Sequence, residues 1–263
     1  MSPTLDELLT PRALGEGRFE MDIPDGWQQG RGCFGGLILG GMVRAALAEA
    51  PGRLRSVEAA MLGPVAVGTA QIAVQTLRQG KAVSGLAVSL SQEDAVLDHA
   101  IVVTGADRAD PPQWFEPARP QAPAWRDLEA WPADNPFAPT FTRHFEYRPA
   151  GPLPYSAGPE AVTSGWVRPR QAPPRLDAAW LALLADTLWT AAFTRMSAPR
   201  PVATLSYTLH LVEPADGLDP AAPVYLSCRA PVCSGGYLSE ERLLWGEDMR
   251  LLAVNHQLIA VIR

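Results

Sequence analysis

The stretch CFGGLILGGMVRAALAEA (residues 33–50) is an apolar segment of helical length that opens with glycines. The stretch DAAWLALLADTLWTAAF (177–193) is a second such segment, with Asp177 placed as its N-cap. Every residue between Asp177 and Asp186 is Ala, Leu or Trp. A helix that is apolar on all sides is normally buried in a core. We therefore predict two long central helices, with Gly40 and Gly41 of the first serving close packing against a neighbour.

Strand-like segments surround each helix in the same order. In the first half one precedes the helix and four follow, at residues 17–24, 54–64, 70–77, 82–91 and 95–104. In the second half two precede and four follow, at residues 141–148, 162–168, 202–212, 224–230, 237–245 and 250–262. A duplicated unit explains this repeat, and its element order predicts an α+β double hotdog in which each helix is wrapped by an antiparallel sheet.

A proline-dense stretch at residues 110–139 separates the two copies and reads as a linker. Its three tryptophans predict that it packs on the surface, because disordered segments are usually poor in aromatic residues. The expected domains are an N-terminal hotdog (1–109), this linker, and a C-terminal hotdog (140–263).

The composition excludes several classes of protein. The net charge is −6 and Lys81 is the only lysine, which argues against nucleic-acid binding. The N-terminus has no basic and apolar leader, and no run of 18 apolar residues exists, so neither secretion nor membrane insertion is expected. Three cysteines without a disulfide framework favour a reducing compartment, and we expect a cytoplasmic protein. Neither the cysteines nor the four histidines show metal-ligand spacing.

Asp186 is the most informative single residue. A carboxylate among apolar neighbours is costly to bury, so it needs hydrogen-bonding partners, a raised pKa, or both. Such a group is a candidate for acid–base chemistry. The alternative is a structural carboxylate that caps a neighbouring loop.

The chain resembles the acyl-CoA thioesterase II (TesB-like) family of double-hotdog enzymes over nearly all its length apart from the linker. The resemblance rests on the order and spacing of FGGLILGGMVRAA (34–46), LRSVEAAMLGPV (54–65), VQTLRQGKAVS (74–84), GWVRPR (165–170), LLADTLW (183–189), VATLSYTLHLVEP (202–214), SGGYLSEERLLWGEDMRLLAV (234–254) and NHQLIAVIR (255–263). It implies acyl-CoA hydrolysis by Asp186, Thr204 and Gln257, with the acid on the second helix. Tyr237 stands where the family has an arginine, a departure that bears on substrate choice.

Thioester hydrolysis by a positioned water needs a base and hydrogen-bonding groups, and it needs neither a cofactor nor a metal. Asp186 is the expected base, and Thr204 and Gln257 the groups that hold the water. Gly35 and Gly36 are candidates for binding the substrate oxyanion at a helix N-terminus, or for simple close packing.

Strand alternation decides the direction in which the Thr204 side chain points. In strict alternation it shares a face with Ser206 and Thr208, opposite the face that carries Leu205 and Tyr207. Thr204 would then point away from Asp186 unless a bulge re-aims it.

The duplication predicts one active site per chain, because only the second copy carries the polar residues of the site. At the helix offset of about 146 residues, Asp186 corresponds to Gly40, and Gln257 corresponds to Val103 by the offset of the last strand. The first copy would then supply walls of the acyl pocket.

Two other functions stay open: an enoyl-thioester hydratase or dehydratase, and a non-catalytic acyl-thioester binding protein. The first would favour an Asp-x-x-x-x-His pair near the helix start, which the sequence lacks. The second has little use for a buried carboxylate. The expected partner is acyl-CoA, and pairing of hotdog units leaves a homodimer open.

Overall fold

The computed structural model describes residues 3–50, 52–112, 114–136 and 138–262. Within these residues the α-helices are α1 (Leu5–Leu8), α2 (Gly35–Glu49) and α3 (Ala178–Leu184). Short 3-10 helices occur at Trp125–Asp127, Thr140–His144 and Ala191–Arg195.

The strands confirm the predicted positions in most places. They are β1 (Arg12–Gly15), β2 (Arg18–Ile23), β3 (Gln28–Gln29), β4 (Gly32–Cys33), β5 (Arg53–Met61), β6 (Gly68–Gln79), β7 (Val83–Gln92), β8 (Ala95–Gly105), β9 (Phe145–Pro149), β10 (Val162–Pro169), β11 (Val202–Leu211), β12 (Val224–Ser234), β13 (Tyr237–Trp245) and β14 (Leu251–Val261). Residues 141–144 are the exception, since they form a 3-10 turn ahead of β9 instead of a strand.

The two copies share one continuous antiparallel sheet of twelve strands. Its order is β1-β2-β6-β7-β8-β5-β11-β14-β13-β12-β10-β9. The centre is the pair β5 and β11, where Ala59 lies opposite Tyr207. Outward from that pair the order β5-β8-β7-β6-β2 mirrors β11-β14-β13-β12-β10, so the strand–helix–four-strand repeat is present in the topology. The sheets of the two halves are therefore joined edge to edge.

Helices α2 and α3 pack against each other in opposite directions inside the sheet. A Cβ atom on Gly36 would lie 2.8 Å from the carbonyl oxygen of Leu183, and one on Gly40 would lie 3.1 Å from that of Ala179. These glycines let the two backbones approach more closely than larger residues would. Because the helices are antiparallel, the N-terminus of α2 lies beside the C-terminus of α3.

We expect Gly36→Ala to lower the free energy of unfolding by about 1–3 kcal/mol, because its methyl group would collide with the Leu183 carbonyl and the Phe34 ring. Gly85→Ala is the matched control, since its Cβ would meet no heavy atom within 4 Å. Urea unfolding of both variants measures the difference, and equal midpoints would contradict close helix packing at Gly36.

The second helix is shorter than predicted. Helix α3 has 7 residues and α2 has 15, so the prediction of two long central helices is wrong for the second copy. Beyond the end of α3 a side chain replaces the helical backbone donors. Arg242 Nη1 donates hydrogen bonds to the carbonyl oxygens of Ala185 (3.2 Å) and Leu188 (3.0 Å). Asp186 consequently lies in the turn after α3 and not within the helix.

The proline-dense stretch packs on the second copy through two of its tryptophans. Trp125 is 9% exposed and belongs to a cluster with Trp166. The ring of Trp131 lies 5.3 Å from that of Trp189. Trp114 is 77% exposed and makes no such contribution.

Candidate functional site

The carboxylate of Asp186 is buried in the turn after α3, with the whole residue 8% exposed. Gln257 Nε2 donates a hydrogen bond of 3.0 Å to its Oδ1. Arg242 Nη1 lies 3.8 Å from the same oxygen. The backbone N–H of Gly36, in the first turn of α2, also interacts with this carboxylate. The site is thus built from both copies, because the antiparallel helices bring the start of α2 to the end of α3.

Burial raises the pKa of Asp186 above its ordinary value, and this is the largest influence on it. The charge of Arg242, the hydrogen bond from Gln257 and the N–H of Gly36 act in the opposite direction and leave the net shift upward. A carboxylate with a raised pKa is a stronger base than one in water.

Gln257 connects Asp186 to Thr204. Thr204 Oγ1 donates to Gln257 Oε1 at 3.0 Å, and the Gln257 amide nitrogen donates to both Asp186 and Asn255, each at 3.0 Å. The oxygen and both N–H groups of the Gln257 amide are therefore hydrogen-bonded, and these bonds fix the orientation of the amide. Asn255 is itself held by its Nδ2, which donates to the Thr208 carbonyl at 2.9 Å.

A bulge turns Thr204 toward this chain of hydrogen bonds. The pairing of β11 with β14 shifts between Thr204 and Ser206, so that Leu205 is an extra residue. Leu205 is 36% exposed, whereas Tyr207 is fully buried. The extra residue reverses the alternation and places Thr204 on the same face as Tyr207. Thr204 is half-buried, so the series of hydrogen bonds leads from a half-buried residue to a buried carboxylate.

The glycine pair at the start of α2 lies against the same carboxylate. A Cβ on Gly35 would lie 3.1 Å from Asp186 Oδ2 and would collide with the end of Met61. A Cβ on Gly36 would collide with Phe34. Packing therefore requires glycine at Gly36, where the backbone oxygen of Leu183 is also in the way, whereas the clash at Gly35 is with the movable end of a side chain. Both glycines border the site. The Gly36 N–H interacts with Asp186, which leaves the Gly35 N–H as the candidate for a substrate oxygen.

An ion pair on β13 stabilises the turn that contains Asp186. It is buried, and the sequence analysis did not predict it. Arg242 Nε donates to Glu240 Oε1 at 2.7 Å, and both residues are at most 3% exposed. Glu240 Oε2 accepts from the Thr190 hydroxyl and from the backbone N–H of Ala191 (2.8 Å). Strand alternation could have found this pair, because Leu238 and Leu244 at the same spacing mark the inward face.

In the first copy the positions equivalent by offset carry no such chain of hydrogen bonds. Gly40 packs against Ala179, and Val103 lies in β8 opposite Ser56. A different buried acid lies in this half: Asp98 is 2% exposed, and its Oδ1 has no hydrogen-bond partner within the described ranges. Burial raises the pKa of Asp98 to about 8.

Asp98 should make the stability of the protein depend on pH. Its folded pKa of about 8 lies above the ordinary value of 3.8, so the folded chain holds a proton that the unfolded chain releases. The contribution of Asp98 to the free energy of unfolding is therefore greatest below pH 3.8, and it is lost as the pH rises to 8. Between pH 6 and 8 we expect a loss of about 2 kcal/mol that Asp98→Asn removes.

Urea unfolding at several pH values measures this slope. Asp94→Asn, at an exposed turn position, is the control that should keep the wild-type slope. Parallel curves for the wild type and Asp98→Asn would contradict the assignment.

Two surface clefts, each of about 330 Å³, lie away from this site. One is lined by residues of β10, β12 and β13 that include Thr163 and Ser227, and the other includes Glu146 and Arg168. Neither is lined by Asp186, Thr204 or Gln257, so neither cleft coincides with the candidate site.

Comparison with protein families assigns almost the whole chain. Residues 23–106 match the model of the acyl-CoA thioesterase N-terminal domain, and residues 107–261 match that of the C-terminal domain. The chain belongs to the acyl-CoA thioesterase family. This agrees with the TesB-like resemblance of its sequence. A comparison with curated proteins gave no significant match.

Solved structures share the hotdog fold of this thioesterase family member along its full length. A conserved hotdog protein from Alicyclobacillus acidocaldarius is 22% identical with a TM-score of 0.90, and the match covers 100% of this chain and 99% of that one. The tesB protein of Mycobacterium avium subs paratuberculosis is 19% identical, with a TM-score of 0.82 and 98% of each chain covered. Acyl-CoA thioesterase II TesB2 from Mycobacterium marinum is 17% identical, with a TM-score of 0.78 and 98% of each chain covered.

Among the described residues, no helix is long and apolar enough to cross a membrane.

Proposed function

We propose that this protein hydrolyses an acyl-CoA thioester to a carboxylic acid and CoA, with a water molecule positioned by Asp186, Thr204 and Gln257. The observation that carries the proposal is the hydrogen-bonded chain from Thr204 through Gln257 to the buried Asp186, in a member of the acyl-CoA thioesterase family.

In the proposed reaction Asp186 removes a proton from water while the water oxygen attacks the thioester carbonyl carbon. The hydroxyl oxygen of Thr204 donates its hydrogen to Gln257 and keeps lone pairs that can accept a hydrogen bond from that water. The carbonyl electron pair moves to oxygen, where the Gly35 N–H at the start of α2 can stabilise it. The pair then returns, the carbon–sulfur bond breaks, and the thiolate of CoA takes the proton.

Two features support a water-based mechanism with no covalent intermediate on a side chain. Asp186 and Gln257 are almost fully buried and mutually hydrogen-bonded, which holds the base in one orientation. The sequence also has no Gly-x-Ser-x-Gly elbow of the kind that presents a nucleophilic serine.

The test is a panel of saturated acyl-CoAs of increasing length together with an enoyl-CoA, assayed with the purified full chain. Release of free thiol from at least one saturated thioester is the expected result. Hydration of the enoyl double bond without thiol release would instead identify a hydratase. Saturable binding without turnover would identify a binding protein. The same panel determines the preferred chain length.

The division into residues 1–109, 110–139 and 140–263, the cytoplasmic location and a homodimer stay predictions. Gel filtration of the purified chain measures its oligomeric state.

A further inference from the structure

Tyr147, in β9, carries a buried phenol group that has no hydrogen-bond partner within the described ranges. The residue is only 4% exposed. Buried polar atoms are nearly always paired in folded proteins, so an unpaired one requires an explanation. Of the residues that the structure describes, two others have a buried side-chain atom without a partner, Asp98 Oδ1 and Trp245 Nε1. Tyr147 differs from them because, in addition to the effect of burial, it lies close enough to Asp186 for the charge of that carboxylate to raise its pKa.

Aromatic residues that flank the Asp186 turn and the start of α2 position the ring of Tyr147. Its centroid lies 6.5 Å from the ring of Trp189, which is three residues beyond Asp186 in the chain. On another side it lies 6.2 Å from the ring of Phe145. Phe145 in turn packs edge-on against Phe34, the residue that precedes α2. Ring contacts thus link Tyr147 directly to the segment that follows Asp186 and, through Phe145, to the residue that precedes α2.

Tyr207 provides a direct contrast within the same site. It is also fully buried, but its phenol donates a hydrogen bond of 2.9 Å to the carbonyl oxygen of Ala182. Burial, and secondly the charge of Asp186, raise the pKa of both tyrosines well above the ordinary value. Both phenols are therefore neutral donors at physiological pH. The Tyr207 hydroxyl bonds to α3, whereas the Tyr147 hydroxyl has no acceptor among the residues that the structure describes.

We propose that Tyr147 is a further catalytic residue of the Asp186 site, whose phenol donates a hydrogen bond to the carbonyl oxygen of the bound thioester. The inference rests on the proposed function and adds a side-chain donor to the backbone N–H of Gly35. When water attacks the carbonyl carbon, the electron pair of the C=O bond moves to oxygen, and the Tyr147 hydrogen bond strengthens with that charge. Tyr147 transfers no proton. The pair returns when the carbon–sulfur bond breaks.

Tyr147→Phe tests this role by removing a single oxygen atom. We expect kcat for acyl-CoA hydrolysis to fall about 10²-fold, the effect of deleting one oxyanion donor, with KM little changed. The urea midpoint should be unchanged or higher, because the deleted hydroxyl has no hydrogen-bond partner in the described part of the chain. Tyr207→Phe is the matched control for stability, and its midpoint should fall because the Ala182 carbonyl loses its donor.

The outcomes separate this inference from the function on which it rests. If the wild type hydrolyses acyl-CoA and Tyr147→Phe keeps its full kcat, the role of Tyr147 is overturned and the proposed function stands. If Tyr147→Phe lowers kcat and also lowers the urea midpoint, the loss of activity reflects a loss of structure. The residue is then structural and the proposed role is again overturned. If the wild type releases no thiol from any acyl-CoA, the proposed function and this role fall together.

Discussion

Asp186→Asn is expected to lower kcat for acyl-CoA hydrolysis by about 10³-fold, as the loss of a general base does. The amide has the shape of the carboxylate and can still accept the hydrogen bond of Gln257, but it cannot take a proton from water. Arg242 keeps its partner Glu240 in this variant, so the local structure should persist. Thiol release under saturating substrate measures the effect, and Asp186→Ala should be equally inactive.

The stability of Asp186→Asn supplies a second measurement on the same protein. Because the folded pKa of Asp186 is raised, stability is lost as the pH rises from the ordinary carboxyl value of 3.8 through the raised folded pKa. The urea midpoint of the variant at neutral pH should therefore equal or exceed that of the wild type. For the same reason, wild-type activity should fall on the acid side at a pH above the ordinary carboxyl value of 3.8.

Asp94→Asn makes the same chemical change at an exposed position of the β7–β8 turn and should leave kcat unchanged. Retained hydrolysis in Asp186→Asn would show that another group is the base. A collapsed urea midpoint would show instead that the carboxylate serves the fold, which is the structural alternative.

Glu240→Gln is expected to lower the free energy of unfolding by about 3–5 kcal/mol, the range observed when one partner of a buried ion pair is removed. The substitution leaves the Arg242 guanidinium charged in a site that is 3% exposed. It also replaces one of the two carboxylate oxygens with an NH₂ group, which cannot accept a hydrogen bond. One of those oxygens accepts from Arg242, and the other accepts from Thr190 and Ala191. Urea unfolding at neutral pH measures the loss.

The neighbouring Glu241→Gln is the matched control, because Glu241 pairs with Arg229 near the surface, where the two side chains are 35% and 64% exposed. Exposed pairs contribute at most about 1 kcal/mol, so its midpoint should barely move. The double variant Glu240→Leu with Arg242→Met should stay destabilised although it removes both charges, because the carbonyls of Ala185 and Leu188 lose their donor and the Ala191 N–H loses its acceptor. Similar losses in Glu240→Gln and Glu241→Gln would contradict the role assigned to the buried pair.

Local patterns predicted the strands well because alternation and turn residues act over a few neighbours. The same patterns overestimated the second helix. The run from Asp177 to Phe193 is apolar enough to continue as a helix, yet α3 ends at Leu184. The carbonyls of Ala185 and Leu188 bond instead to Arg242, which lies more than fifty residues further along the chain. A local pattern contains no information about such a distant partner.

Thr204 illustrates the same limit at the site itself. Strict alternation directs it away from Asp186, and the single extra residue Leu205 reverses that direction. A bulge arises from the pairing of two strands, so neither strand specifies it alone. The resemblance to the thioesterase family selected Thr204, and the tertiary structure supplied the reason that it reaches Gln257.

By itself the sequence determined the duplicated order of helix and strands, the burial of Asp186 and the membership of the family, because these depend on composition and spacing along the chain. Only the tertiary structure decided which groups meet that carboxylate. The antiparallel crossing of α2 and α3 brings Gly36 from the first copy to Asp186 of the second, and sheet pairing adds Gln257 and Arg242 from separate strands. These contacts depend on the packing of segments far apart in sequence, where the free energy of burial and hydrogen bonding selects the partners.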